Sequence, residues 1–115
     1  MRKPMPIERE AETVKFSIEG HDGYLIVGLY DDGTLGEIFV CISKEGSTLR
    51  GVFNAFSIAV SLGLQHGVPL RTYVDKFKGL RFEPLGYVDH AHIKEAGSIV
   101  DFVFTWLERR FLSDE

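Results

Sequence analysis

One long apolar helical run constrains the fold of this chain more than any other feature. From Leu49 onward, apolar residues recur at spacings of three and four, which is the period of one helix face. They are Leu49, Val52, Phe53, Phe56, Val60 and Leu64. Ala55, Ile58, Ala59 and Leu62 make most of the remaining helix surface apolar. Because a helix that is apolar nearly all round has to be covered on more than one side, we predict that it forms the core of the fold.

The segment before this run, Lys44-Glu45-Gly46-Ser47-Thr48, predicts a tight turn and a helix start. A hydroxyl of Ser47 or Thr48 can accept a hydrogen bond from a free N–H of the first turn, and Gly46 permits backbone angles that most residues avoid. A helix start of this kind also suits phosphate. Gly46, Ser47 and Thr48 are therefore a candidate anion-binding site, although capping and packing explain the same residues and no P-loop motif is present.

Three predicted strands precede the helix, at residues 13–18, 24–30 and 37–43. The first alternates apolar and polar residues, whereas the other two are apolar on both faces, and an Asp-Gly turn at 32–33 joins them. A three-stranded antiparallel sheet normally leaves one face polar, so something must cover this second face, either the C-terminal helix or a partner subunit. The candidate interface residues are Tyr24, Ile26, Tyr30 and Phe39.

Two further helices are predicted after the core helix. A short one begins at Pro69 and stops at Gly79, and a longer one begins near Ser98. We therefore predict an α+β fold in which a three-stranded antiparallel meander is followed by three helices, with the sheet packed on the long central helix. Residues 1–12, with two prolines and no apolar period, are predicted to be a flexible arm, and residues 13–115 a single domain.

Composition limits the classes of partner. The formal net charge of −4 provides no basic surplus for nucleic acid, and we expect no membrane partner because polar residues interrupt the longest apolar run. The single cysteine rules out an internal disulfide and favours a reducing compartment. We expect a cytoplasmic protein.

Three other groups of residues are candidates for chemistry. His90 and His92 have the spacing of two metal ligands on an extended segment, but no third ligand is identifiable, and a polar loop is the alternative. His21 beside Asp22 is a candidate acid-base pair, or an ordinary turn histidine. Cys41 lies in a strand with two apolar faces, which predicts a buried, inert thiol.

Several runs of this chain, taken together, resemble one known family. They are Lys15-Phe16-Ser17-Ile18, residues 20–30, Lys44-Glu45-Gly46-Ser47-Thr48, Gly67-Val68-Pro69-Leu70, Arg81-Phe82-Glu83-Pro84 and residues 98–102, with Trp106-Leu107 after them. In unbroken order they resemble the TSCPD domain, a region near the C-terminus of adenosylcobalamin-dependent (class II) ribonucleotide reductases. The match covers almost the whole chain and departs mainly between Leu85 and Glu95.

The resemblance implies a role connected with ribonucleotide reduction but no catalysis by this chain alone. The reductases use radical chemistry in a large barrel, with several cysteines, a carboxylate and cobalamin. This chain resembles only the appended domain, has one cysteine, and lacks a Cys-x-x-Cys tail. We therefore assign no catalytic residue, and we expect adenosylcobalamin to belong to the full-length reductases.

Two classes of function follow. In the first, the chain is an accessory or regulatory module in DNA precursor synthesis that associates with proteins, either as a homodimer or with a reductase chain. In the second, it is a small domain that binds a nucleotide or another anion at Gly46–Thr48. An independent enzyme is a third reading, which the absence of an activated nucleophile in the sequence disfavours.

Overall fold

A computed structural model of the protein describes residues 1–43 and 46–113. It contains a three-stranded antiparallel sheet in the order β1-β2-β3, a pair of two-residue strands, and three helices. This arrangement confirms the predicted α+β class. The elements are β1 (Ala11–Ile18), β2 (His21–Leu29), β3 (Leu35–Ile42), α1 (Ser47–Gln65), α2 (Leu70–Phe77), β4 (Gly86–Tyr87), β5 (Glu95–Ala96) and α3 (Ile99–Phe111).

The turn between β1 and β2 is tighter than the sequence suggested. Only Glu19 and Gly20 separate the strands, with φ angles of 47° and 81°. Two positive φ angles in a two-residue loop give the backbone twist that joins antiparallel strands without splaying them. His21 and Asp22 therefore belong to β2, and His21 is not a turn histidine.

The turn between β2 and β3 forms where the Asp-Gly signal predicted it. Gly33 adopts a φ of 85°, which costs a glycine little. The Asp32 carboxylate accepts hydrogen bonds from the Thr34 hydroxyl at 2.6 Å and the Thr34 N–H at 3.0 Å. These bonds hold the pKa of Asp32 below its ordinary value, because they favour the charged form.

The chain divides into two compact units, and each is described by itself. The first unit comprises residues 1–15 and 23–68, and the second comprises residues 16–22 and 69–115. The first contains most of the sheet and α1. The second contains the tip of the β1–β2 hairpin, α2, the short strands and α3.

In the first unit, α1 lies along the edge strand β3 and satisfies its backbone. The Ser61 hydroxyl accepts from the N–H of Ile38 at 2.9 Å and donates to the Ile38 carbonyl at 3.1 Å. One turn earlier, Ser57 accepts from the Val40 N–H at 3.0 Å. One turn later, Gln65 donates to the Gly36 carbonyl at 3.0 Å. A polar stripe on the helix therefore takes the place of a fourth strand.

The spacing of this stripe follows from the two geometries. Four helical residues rise about 6.0 Å, and two strand residues rise about 6.6 Å, so every fourth helix residue meets every second strand residue. Helix residues 57, 61 and 65 thus match strand residues 40, 38 and 36. By length and composition alone α1 could also span a membrane. In this unit, however, its polar stripe is hydrogen-bonded to β3.

The prediction that α1 is covered on several sides was wrong for the single chain, which buries only one side of the helix. The buried residues of α1 lie on one side and include the polar stripe; they are Phe53, Ser57, Val60, Ser61 and Gln65. The opposite side is apolar but exposed, with Val52 58% and Ile58 50% accessible. The sequence predicted core positions for these apolar residues, whereas the polar residues Ser57 and Ser61 are the buried ones.

The N-terminal segment, predicted to be a flexible arm, makes specific contacts in the first unit. The Lys3 N–H donates to the Gln65 carbonyl at 2.8 Å, and the Arg2 guanidinium donates to the Gln65 side chain at 2.7 Å. Arg9 forms an ion pair with the buried Glu37. That carboxylate fills the space where a side chain at Gly28 would lie. Residues 11 and 12 already belong to β1. The mobility of residues 1–10 stays a prediction.

The second unit is built around α3, whose inward side is aromatic. Phe16 packs on Phe102 with ring centroids 4.8 Å apart, and Phe77 of α2 packs on Phe104 at 5.4 Å. Arg71 and Lys78 pair with Glu108 at 2.9 and 2.5 Å. Their hydrogen bonds, led by Lys78, lower the pKa of that carboxyl.

The N-terminus of α3 is capped as its sequence allows. The Ser98 hydroxyl accepts from the Asp101 N–H at 2.9 Å and donates to the Leu80 carbonyl at 2.7 Å. The Asp101 carboxylate accepts from the N–H groups of Gly97 and Gly79, both at 2.7 Å. One carboxylate therefore ties the loop after α2 to the helix start. The Glu83–Pro84 peptide in that loop is cis.

Candidate functional site

The most exposed apolar part of the sheet lies on the face of β2 and β3 that carries Tyr24, Ile26, Phe39 and Cys41, here called the outer sheet face. The strand register places Tyr24 opposite Cys41 and Ile26 opposite Phe39. Tyr24 is 38% exposed and Phe39 39% exposed, whereas Leu25 and Ile38 on the other face are fully buried. The two apolar faces predicted from the sequence are therefore both present, and one of them is open in the first unit.

Tyr30 departs from the predicted interface. It is only 8% exposed, because the N-terminal segment covers it. Its hydroxyl donates to the Lys3 carbonyl at 2.6 Å, and the Lys3 ammonium lies 4.3 Å from its ring centroid. Arg9 covers Glu37 in a similar way. The sequence predicted the C-terminal helix or a partner subunit as the cover, whereas the N-terminal segment supplies part of it.

Cys41 was predicted to be buried but is exposed. The prediction failed because the apolar pattern of β3 does not say which of its two faces the chain itself covers. The inward residues of β3 are Ile38, Val40 and Ile42, so the alternating positions 39 and 41 point the other way. Cys41 therefore belongs to the outer sheet face.

The candidate anion site at the start of α1 is only partly as predicted. Lys44 and Glu45 lie outside the described residues. Gly46 is the N-cap and Ser47 is the first helical residue, so the predicted hydroxyl cap is replaced by a residue with no side chain. The φ of Gly46 is −65°, an ordinary angle that does not require glycine. Ser47 and Thr48 are exposed, and anion binding there stays a prediction.

The predicted pair His90 and His92 lies in the loop between β4 and β5. The ring centroids are 6.1 Å apart. The Nδ1 atom of His90 accepts hydrogen bonds from the N–H groups of His92 and Ile93 at 3.1 and 3.2 Å. Burial, with smaller contributions from nearby positive groups including His92, lowers the pKa of His90. Because Nδ1 is used in this way, only the Nε2 atom of His90 could bind a metal. Metal binding by His90 and His92 stays a prediction.

No third ligand joins these two histidines in the described part of the chain. Within residues 1–43 and 46–113, no group of three or more His, Cys, Asp or Glu side chains could hold a metal ion. His21 is exposed at the start of β2. The acid-base pairing of His21 with Asp22 also stays a prediction.

One polar cavity of about 370 Å³ was not anticipated from the sequence. It lies in the second unit, and Arg81, Glu95 and Asp101 contribute the charged part of its lining. Both oxygens of Asp101 already accept backbone hydrogen bonds, so this carboxylate has a structural role. The Ser98-x-x-Asp101 spacing is a recognised helix-start pattern and could have indicated that role.

Comparison with known proteins identifies the family. The sequence profile of the TSCPD domain matches residues 2–111. This chain belongs to the TSCPD domain family. The predicted resemblance is thereby confirmed, and the matched region includes most of the N-terminal segment.

Several relatives of this TSCPD domain are much longer proteins named vitamin B12-dependent ribonucleotide reductase. The relative from Rhodopirellula baltica is 47% identical over 112 residues, which are 97% of this chain and 11% of that protein. The relative from Streptomyces coelicolor is 50% identical over 115 residues, 12% of its length. The relative from Bradyrhizobium diazoefficiens is 52% identical over 113 residues, 9% of its length. No solved structure matches the chain.

The TSCPD domain thus spans about a tenth of these relatives. It is a ribonucleotide-reductase-related domain, and the vitamin B12 in the relatives' name is the cofactor of those full-length enzymes.

Proposed function

We propose that this TSCPD domain is an accessory or regulatory module of ribonucleotide reduction that acts in the cytoplasm by associating with proteins. The observation that carries the proposal is the outer sheet face, which exposes two large aromatic rings, Tyr24 and Phe39. Contiguous exposed apolar patches on soluble domains often mark contact sites. The relatives' name supplies the reaction, ribonucleotide reduction, and we infer from it a role in DNA precursor synthesis. The small share of their length argues against catalysis by this chain alone.

A pull-down from native lysate tests the proposal. The tagged protein is expected to capture a vitamin B12-dependent ribonucleotide reductase chain, identified by mass spectrometry. Phe39→Glu places a charge on the outer sheet face and is expected to reduce capture at least tenfold. Tyr87→Glu is the matched control, because Tyr87 is an exposed aromatic residue of the second unit. Equal capture by both variants would remove the outer sheet face from the proposal, and absence of any reductase chain would remove the partner.

Anion or nucleotide binding at Gly46–Thr48 is the second candidate function. One observation favours it: the first turn of α1 contains no acidic residue to compete for its N–H groups. Titration with inorganic phosphate and with nucleotides, followed through the backbone amide resonances of Gly46 and Thr48, tests it. Resonances that do not move at millimolar ligand would contradict it.

A further inference from the structure

The exposed side of α1 is the second apolar surface of the first unit, here called the outer helix face. Its large residues are Val52, Ile58 and Leu62, which are 58%, 50% and 41% exposed. Gly51, Ala55 and Ala59 lie between them and are also exposed. Arg50 is the only charged residue from Thr48 to Leu62. Successive helix residues are rotated by about 100°, and this rotation places Arg50 on a different side of the helix from the outer helix face.

The outer helix face adjoins the outer sheet face. Ser57 and Ser61 bind the backbone of Val40 and Ile38, whose side chains point to the buried face of the sheet. Around the helix, the buried Phe53 and Val60 lie on one side of the serine stripe. Ile58 and Leu62 follow the serines on the other side.

That other side is the one toward which β3 directs Phe39, the residue between Ile38 and Val40. The two exposed faces therefore form one surface that bends around the edge of the sheet. Residues of both faces belong to the first unit.

The large residues of the combined surface supply more than half of the area that each partner of a standard interface buries. With roughly 200 Å² for a fully exposed large side chain, the exposed fractions of its five largest residues correspond to roughly 450 Å². These residues are Tyr24, Phe39, Val52, Ile58 and Leu62. The small residues, Ile26 and Cys41 extend it toward the ~800 Å² that each partner of a standard interface buries.

The pattern on the outer helix face is compatible with a copy of itself. Its positions, 48, 51, 52, 55, 58, 59 and 62, are symmetric about residue 55. In an antiparallel pair with a two-fold axis at Ala55, Val52 meets Ile58 of the other copy, and Gly51 meets Ala59. Gly51 and Ala59 are then a pair of small residues and Val52 and Ile58 a pair of large ones, whereas Thr48 meets Leu62. None of these seven positions carries a charged side chain, so the contact would bury no pair of like charges.

We propose that the outer helix face binds a second copy of this chain, with α1 packed antiparallel on its symmetry mate and a two-fold axis through Ala55. The inference rests on the proposed function, because it gives the association a partner and a geometry. The contact is isologous, as in most soluble homodimers, and it supplies the missing cover for α1. The adjoining outer sheet face extends the contact at its rim.

Disulfide trapping tests the geometry. Packed helix axes lie 8–10 Å apart and Cα atoms lie ~2.3 Å from an axis, so facing Cα atoms at the two-fold are roughly 3.5–5.5 Å apart. This range overlaps the separation that a disulfide needs. In a Cys41→Ser background, Ala55→Cys is expected to form a covalent dimer under mild oxidation at least tenfold faster than Arg50→Cys. A mixture of Gly51→Cys and Ala59→Cys chains is expected to cross-link as heterodimers.

Light scattering of the unmodified protein completes the test. A dimer at micromolar concentration that Ile58→Lys converts to a monomer, with an unchanged circular dichroism spectrum, supports the proposal. A monomer at 100 μM, or equal cross-linking of Ala55→Cys and Arg50→Cys, overturns it.

These outcomes are separable from those of the proposed function. A monomer that still captures a reductase chain overturns only the self-association. A dimer trapped through Ala55→Cys that captures none supports the self-association and removes the reductase partner.

Discussion

His90 shows how one side chain organises a loop and makes it sensitive to pH. Its Nδ1 atom accepts from two backbone N–H groups, and its ring meets the edge of Phe102 with centroids 5.7 Å apart. An acceptor Nδ1 requires the neutral imidazole with its proton on Nε2. The lowered pKa agrees with this geometry, since burial disfavours the charged ring.

We predict that His90 stabilises the protein at neutral and alkaline pH and ceases to do so in acid. The unfolded chain takes up the proton first, so the contribution is complete above the ordinary histidine pKa and is lost as the pH falls below it. His90→Ala is expected to lower the free energy of unfolding by about 1 kcal/mol at pH 8. The penalty should shrink at pH 5, as measured by urea unfolding.

The control for this prediction is His92→Ala, because His92 is exposed. It is expected to change the unfolding free energy by less than about 0.5 kcal/mol at either pH. A His90→Ala penalty that is equal at pH 5 and pH 8 would contradict the role given to the neutral ring.

At the scale of elements, α1 is where sequence and structure differ most. Period and length predicted its existence and its bounds closely, because both depend on local sequence. Its orientation was not predictable in the same way. Ser57, Ser61 and Gln65 are buried because they meet the open backbone of β3, a partner 17 to 29 residues away in sequence.

The side of α1 that becomes buried therefore depends on the edge of β3, which cannot be identified from the apolar pattern of the helix. The one usable signal was polar residues repeated every fourth position in an apolar helix. Reading the apolar residues as the buried ones placed Val52, Ile58 and Leu62 in the core, where they are not. Alternation alone placed the candidate interface residues Tyr24, Ile26 and Phe39 on a different face from the buried residues, and the register agrees. Their role as an interface stays a prediction.

We predict that each of the two buried serines of α1, Ser57 and Ser61, protects its own position of β3. Ser61→Ala leaves the Ile38 N–H and carbonyl without their side-chain partner, and is expected to cost about 1–3 kcal/mol of unfolding free energy. Amide hydrogen exchange should accelerate at Ile38 and not at Val40. Ser57→Ala should reverse that pattern. Ser47→Ala, at an exposed position, is the control and should change neither amide.

At the scale of the whole molecule, the N-terminal segment decides how much of the sheet stays open. Its prolines and alternating charges predicted a flexible arm, because they show no apolar period. Its contacts, however, are made mainly by backbone groups and by long side chains with Gln65, Tyr30 and Glu37. Such contacts produce no periodic pattern of apolar residues in the sequence, so they could not be predicted from it. The TSCPD profile begins at residue 2, so most of this segment belongs to the domain.

Removal of residues 1–6 is therefore expected to destabilise the protein and to uncover Tyr30. The deletion removes the acceptor of the Tyr30 hydroxyl, the Lys3 ammonium over its ring and the Met5 side chain beside Gly36. Loss of this burial and these hydrogen bonds should cost about 2 kcal/mol in urea unfolding. Tyr30 fluorescence quenching is confounded by other tyrosines, so exposure is better read from hydrogen exchange across residues 28–36.

Point variants distinguish a specific contact from a general effect of shortening the chain. Tyr30→Phe removes only the hydroxyl and is expected to cost about 1 kcal/mol in the full-length chain. The same substitution should cost almost nothing after the deletion, because the Lys3 carbonyl is then absent. Ile7→Ser, at a residue 98% exposed, should leave both measurements unchanged. If Tyr30→Phe costs the same with and without residues 1–6, the segment does not hold Tyr30 in solution.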